Sequence, residues 1–207
     1  MRLARLAERE GATGMSVITP YFVKPSQAEL LSHFRAVADS SPLPLVLYNN
    51  PATCNGVGID PDTVAGLAER PNVVGIKDTS GDLQNTIETI KRVPPAFGVL
   101  VGRDTLILAG LLFGAAGAIP ASCNLAPHLC VGILRAFRAG DLGEARRLQD
   151  RLSPVRLALA LGTGNGAVKE GLALLGRDAG PNRRPVGPLA ADKREQLRRV
   201  LADAGLL

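Results

Sequence analysis

One stretch constrains this chain more than any other: Pro71-Asn72-Val73-Val74-Gly75-Ile76-Lys77-Asp78-Thr79-Ser80-Gly81-Asp82. Val73, Val74 and Ile76 are β-branched and suit a strand buried on both faces. Lys77 sits where that strand runs out, and a polar turn follows at once. A lysine there is costly unless it is paired, or neutral and used in chemistry. It is not drawn from a lysine-rich background, because the chain has five lysines against nineteen arginines. The alternative is a strand-end lysine that reaches water along its own stem.

The rest of the chain reads as helices and strands in alternation. Met1 to Gly11 is an amphipathic helix with no N-cap signal, and Gly11 fits its C-terminal cap. Met15 to Thr19 is a strand. Ser26 with Glu29 forms a capping box for a helix to about Ser40. Pro44 to Tyr48 is a second strand, and Asp60-Pro61 opens a helix to Glu69 with proline at its favoured first position. The Lys77 strand follows. Then come a helix at Leu83 to Arg92, a strand at Gly98 to Gly102, a helix at Leu106 to Phe113 and a short strand at Ala116 to Pro120. Only helices remain: Cys130 to Ala139, Asp141 to Leu161 with a bend expected at Ser153-Pro154, Lys169 to Leu175, and Asp192 to Ala204.

Strands alternating with helices demand right-handed crossovers and a parallel sheet, so the fold class is α/β. The polar residues cluster just past strand ends: Thr19 with Tyr21, Tyr48 with Asn49, Lys77 with Asp78, Gly102 with Asp104. In a parallel fold these ends share one rim, where active sites sit. No G-x-G-x-x-G or Walker pattern follows a strand, so a nucleotide-binding fold has no support. A (β/α)8 barrel is favoured, but one typically needs about 250 residues and eight strands. The 207 residues here carry five strands. The expected organisation is a partial barrel over 1–140 and a helical extension over 141–207.

Composition narrows the function classes. The net charge is +5, carried mainly by arginine, and aromatics make up 3%. The basic residues are interleaved with acids and lack stacking aromatics, which points to solvated helix faces rather than a nucleic-acid partner. No apolar run approaches the ~20 residues of a membrane span. Cys54, Cys123 and Cys130 show no metal spacing with His33 or His128. An odd set of thiols with no signal peptide reads as a reducing cytoplasm. Cys54 lies on the rim and reads as an inert loop thiol rather than a reactive one.

Four motifs, in order, resemble the pyruvate-dependent class I aldolases of the dihydrodipicolinate synthase and N-acetylneuraminate lyase family. Thr19-Pro20-Tyr21-Phe22 with Lys24-Pro25-Ser26 is similar to T-P-Y-Y-x-K-P-S. Leu47-Tyr48-Asn49-Asn50-Pro51 resembles L-Y-N-x-P. Gly75 to Asp82 resembles G-I-K-[DE]-x-[ST]-G-D. Gly114 to Ile119, followed by Asn124, resembles G-A-x-G-x-I. The resemblance runs the whole chain and implies that Lys77 forms a Schiff base with the keto group of pyruvate or another 2-keto acid. A lysine must be neutral to attack, and a mostly apolar site favours that form. The iminium then acts as electron sink, so no separate cofactor is expected beyond the covalent lysine–substrate imine.

The resemblance further implies that Tyr48 is the proton shuttle, with Tyr21 at a relay position. Ile119 would line the pyruvate pocket through its backbone. Gly102 and Asp104 would face the second substrate, an aldehyde, although a strand-end Asp also caps helices. Thr53 occupies the place of an arginine that clamps a carboxylated aldehyde in dihydrodipicolinate synthases. Lys169 matches a family position with a structural role, and Phe22 replaces a tyrosine able to relay protons. The family's G-x-T-G-E segment is absent, and by comparison roughly 80 to 90 residues are missing, the first three β-α units. The absent units would leave bare sheet edges at Met15 to Thr19 and Gly117 to Pro120. The family is usually tetrameric, so a homo-oligomer is expected. The alternative functions are an inactive fragment and a keto-acid binder without turnover.

Overall fold

A computed structural model describes residues 1–207. The chain divides into two compact units, Met1–Ile119 and Pro120–Leu207. Helix α6 (Pro127–Arg138) packs on α7 (Leu142–Ala158), so it belongs with the helices after it.

The first unit holds five strands: β1 (Met15–Ile18), β2 (Leu45–Asn49), β3 (Val73–Asp78), β4 (Gly98–Val101) and β5 (Gly117–Ala118). Their helices are α1 (Arg2–Arg9), α2 (Gln27–Ala38), α3 (Pro61–Ala68), α4 (Leu83–Arg92) and α5 (Ile107–Leu112). All strand pairs are parallel, and the spatial order is the sequence order, β1-β2-β3-β4-β5. A doubly wound sheet reverses its order at a switch point. This one never does, so every right-handed crossover steps the same way and lays its helix on the same face. The two outer strands, β1 and β5, are edges, as anticipated.

Local sequence explains the elements. Ser26 accepts from the Glu29 amide while the Glu29 carboxylate accepts from the Ser26 amide, at 2.7 Å for the second bond. Pro61 opens α3, and Asp82 caps α4 by accepting from the Asn85 amide at 3.0 Å. The core lies between the helices and one sheet face. Leu30 and Phe34 of α2 and Leu67 of α3 pack with Leu45, Leu47, Ile76 and Val99. Each such side chain contributes about 1.5–3 kcal/mol by leaving water. Strand residues alternate between faces. Val46, Tyr48, Lys77 and Leu100 therefore point away from the helices and are only partly covered.

One irregularity keeps that alternation in step with the chemistry. Leu45 pairs with Val73, but Val46 pairs with Gly75, so Val74 is an extra residue, 40% exposed. The bulge lets Val73 and Ile76 both face the core while Lys77 faces away from it.

The second unit contains α6, α7, α8 (Gly166–Leu174) and α9 (Ala191–Asp203). Gly132 lets α6 approach α7, since a Cβ there would lie 2.8 Å from a Leu148 methyl. Leu125, Val155, Ala167, Leu197 and Leu201 form its core. Pro154 stays inside α7, and the Ser153 hydroxyl donates to the Gln149 carbonyl at 2.8 Å. The Lys169 ammonium donates to the Pro181 carbonyl at 2.9 Å, a structural tie.

Gly75 supplies a test of the sheet. A Cβ at Gly75 would stand 2.5 Å from the Gly98 carbonyl oxygen, a backbone atom that cannot swing away. Gly75→Ala is expected to cost about 2–4 kcal/mol, read as a lower urea midpoint; a loss under about 0.5 kcal/mol would show that β3 and β4 are not this close.

Candidate active site

The site begins with a register. Tyr48 on β2 pairs with Lys77 on β3, so both side chains leave the same sheet face side by side. The Lys77 Nζ lies over the Tyr48 ring, 4.4 Å from its centroid. The Asn50 amide Nδ2 donates to the Tyr48 hydroxyl oxygen at 3.1 Å. That leaves the phenolic hydrogen free to be given to another acceptor.

The next residues along both strands point the other way and hold the pair in place. Asn49 Nδ2 donates to Asp78 Oδ1 at 3.0 Å. The same oxygen accepts from the Ser80 amide at 3.0 Å, and Asp78 Oδ2 accepts from the Thr86 hydroxyl at 2.6 Å. Asn49 Oδ1 accepts from the Ile59 amide at 3.1 Å. Asn49 and Asp78 are both buried. Asp78 is thus a structural anchor: its carboxylate is fully engaged on the side of the sheet opposite the lysine amine. The backbone repeats the tie, with the Thr79 amide on the Asn49 carbonyl at 2.8 Å and the Gly102 amide on the Asp78 carbonyl at 2.7 Å.

The other expected residues divide. Gly102 sits against the turn after Lys77, where a Cβ would fall 1.9 Å from the Thr79 hydroxyl. The Ile119 amide donates to the Val101 carbonyl at 2.9 Å, so its carbonyl, not its N–H, is left to meet a ligand. Asp104 is fully buried at the head of the 3-10 turn Asp104–Leu106 and presents no carboxylate to the rim. Thr53 is exposed in the 3-10 turn Pro51–Thr53, its hydroxyl donating to the Asn50 carbonyl at 3.2 Å. Tyr21 is 67% exposed in the loop after β1 and has no bond to Tyr48. The Cys54 thiol is buried and donates weakly to the Thr19 carbonyl at 3.7 Å, as an inert thiol would.

Thr79 was not singled out from the sequence. It lies two residues past Lys77, hence on the same face, and its buried hydroxyl has no partner. A buried, unpaired hydroxyl costs about 1–3 kcal/mol unless a ligand or water satisfies it. Its spacing from Lys77 was the available signal.

Comparison with known proteins decides the family. The family model described as the dihydrodipicolinate synthetase family matches residues 1–204. The chain belongs to that family. It is 42% identical over 206 residues to a 4-hydroxy-tetrahydrodipicolinate synthase of Methanoculleus marisnigri, covering 99% of this chain and 70% of the relative. A synthase of the same name from Rhodospirillum centenum is 40% identical with the same coverage. Among solved structures, YagE, a prophage protein of the dihydrodipicolinic acid synthase family from E. coli K12 in complex with pyruvate, superposes with a TM-score of 0.93 at 37% identity, over 100% of this chain and 71% of that one. Dihydrodipicolinate synthase from Thermotoga maritima gives a TM-score of 0.95 at 33% identity, over 100% and 71%. In this family the five-stranded sheet is an incomplete (β/α)8 barrel, and its open face is the barrel interior.

The anchoring role of Asp78 has a direct consequence. Asp78→Ala strands the Asn49 amide, the Ser80 N–H and the Thr86 hydroxyl, and is expected to cost about 3 kcal/mol or more. Equilibrium denaturation checks this; an unchanged midpoint would show that the carboxylate does not hold the strand ends.

Proposed function

We propose that this chain carries the catalytic lysine of a pyruvate-dependent aldolase or lyase. The observation that supports this most is the Lys77–Tyr48 pair, held at one register on the open face of a family barrel. The Lys77 amine attacks the keto carbon; a C–N bond forms and the keto oxygen takes a proton. Tyr48 supplies that proton, and Asn50 stays bonded to the phenol oxygen. Loss of water gives the iminium. The iminium draws electrons from the neighbouring carbon, so a proton leaves there and an enamine results. The enamine carbon then bonds to the aldehyde carbon, whose oxygen takes a proton, and water releases the product from lysine. The reverse sequence cleaves the same carbon–carbon bond. The Ile119 carbonyl, just past β5, and the unpaired Thr79 hydroxyl, just past Lys77, are polar groups that can orient the keto acid.

The pyruvate named with YagE supports the choice of keto acid. The sequence departures at Thr53 and Phe22 favour an aldehyde other than that of lysine biosynthesis. The lysine–substrate imine serves in place of a cofactor. Tyr21, Phe22 and Val23 are 67%, 89% and 69% exposed in succession, which supports burial against a second copy. One solved relative is described as a monomeric dihydrodipicolinate synthase variant, so the assembly is a variable within the family. Three free cysteines fit a cytoplasmic setting, and no helix is long and apolar enough to cross a membrane.

Chemical trapping tests the reading. Incubation with pyruvate followed by borohydride is expected to add one reduced pyruvyl group, located by peptide mass spectrometry on Lys77 and lost in Lys77→Met. A folded sample that gains no adduct, or gains it on another lysine, would sink the Schiff-base assignment. Adduct formation with no turnover of any aldehyde would leave a keto-acid binder.

A further inference from the structure

We propose that Arg103 is the specificity residue for a carboxylate on the second substrate; this rests on the aldolase reading above. Arg103 follows Gly102 at the end of β4, on the same rim as the end of the Lys77 strand. Its side chain folds back across the turn after Lys77. Nε and Nη2 stand 3.1 and 3.3 Å from the place a Cβ would take on Gly81. Gly81 has φ +80°, which favours glycine, and its lack of a side chain makes room for the guanidinium. The arginine is thereby seated rather than left to sweep through solvent.

Its charge is unspent. Arg103 is partly buried, yet its guanidinium takes part in no hydrogen bond or ion pair; only its backbone carbonyl is engaged, by the Leu106 amide. Neither the acid beside Gly81 nor the acid next to Arg103 in sequence pairs with the guanidinium. Asp82 caps α4, and Asp104 is fully buried. Most other arginines with carboxylate partners sit on helices, as Arg147 does with Glu144 and Arg198 with Glu195. A seated guanidinium with five free donors matches a carboxylate bidentately, and does so better than a lysine. The Thr79 hydroxyl, also unpartnered, lies against Gly102 in the turn that leads from Lys77 to Gly81, where the guanidinium is seated. Thr53, exposed on the loop after β2, has no cationic group to offer. The carboxylate clamp of this chain therefore comes from the end of β4.

The test compares wild type with R103Q and R103K. With pyruvate as donor, the preference for succinic semialdehyde over butanal, taken as the ratio of kcat/KM values, is expected to fall about tenfold in R103Q, chiefly through KM, and to recover in part in R103K. A calorimetric titration with succinate needs no turnover and is expected to show about tenfold weaker binding to R103Q. Equal succinate affinity in wild type and R103Q, or a ratio that does not move, overturns the proposal. Absence of a pyruvate adduct on wild-type Lys77 overturns the aldolase reading instead, and the succinate titration still decides the role of Arg103.

Discussion

The pairing of β2 with β3 is the interaction on which the site depends. It is a parallel ladder, so a slip by one residue would turn Lys77 into the helix-packed core and bring Asp78 to the open face. Three features fix the register. Leu45, Leu47 and Ile76 must stay buried under α2 and α3. The Asn49–Asp78 bond, made only at this register, closes the strand ends. The bulge at Val74 absorbs the one residue by which the two hydrophobic patterns disagree. The polar network on one face thus specifies what the other face presents.

That division of labour explains why two neighbouring residues with similar apparent reactivity have different uses. Lys77 projects from the open face beside Tyr48, whereas Asp78 is spent on three hydrogen bonds behind it. The amine lies over the ring, not at the hydroxyl. Proton transfer needs hydrogen-bond reach, directly or through one water, and such contacts commonly tighten only when substrate binds. Rigid backbone around the pair keeps that adjustment small. Gly75 allows β4 to come close, and Gly102 leaves space for the Thr79 hydroxyl.

Much of this was legible in the sequence. A lysine at the end of a β-branched run, a tyrosine ending the previous run, and strictly alternating elements suffice to place Lys77 beside Tyr48 in a parallel sheet. The capping box at Ser26 and the proline start at Pro61 are short-range chemistry and emerge as read. What escaped depends on register or on packing at a distance. The Val74 bulge is set by the partner strand, not by Val-Val-Gly itself. Asp104 reads as a rim residue by position, yet the fold buries it. The start of α6 lies at Pro127, ahead of the expected Cys130, because proline suits the first helical position there as it does at Pro61.

The central claim is that the register delivers a phenol to the carbinolamine at Lys77. The rate of pyruvate trapping on Lys77 in Tyr48→Phe, followed by mass spectrometry under single-turnover conditions, tests it most directly. The account predicts that the adduct still forms on Lys77 but about a hundredfold more slowly, the size of a lost general acid. A rate equal to that of the wild type would show that Tyr48 only packs against the lysine, and that the proton comes from elsewhere.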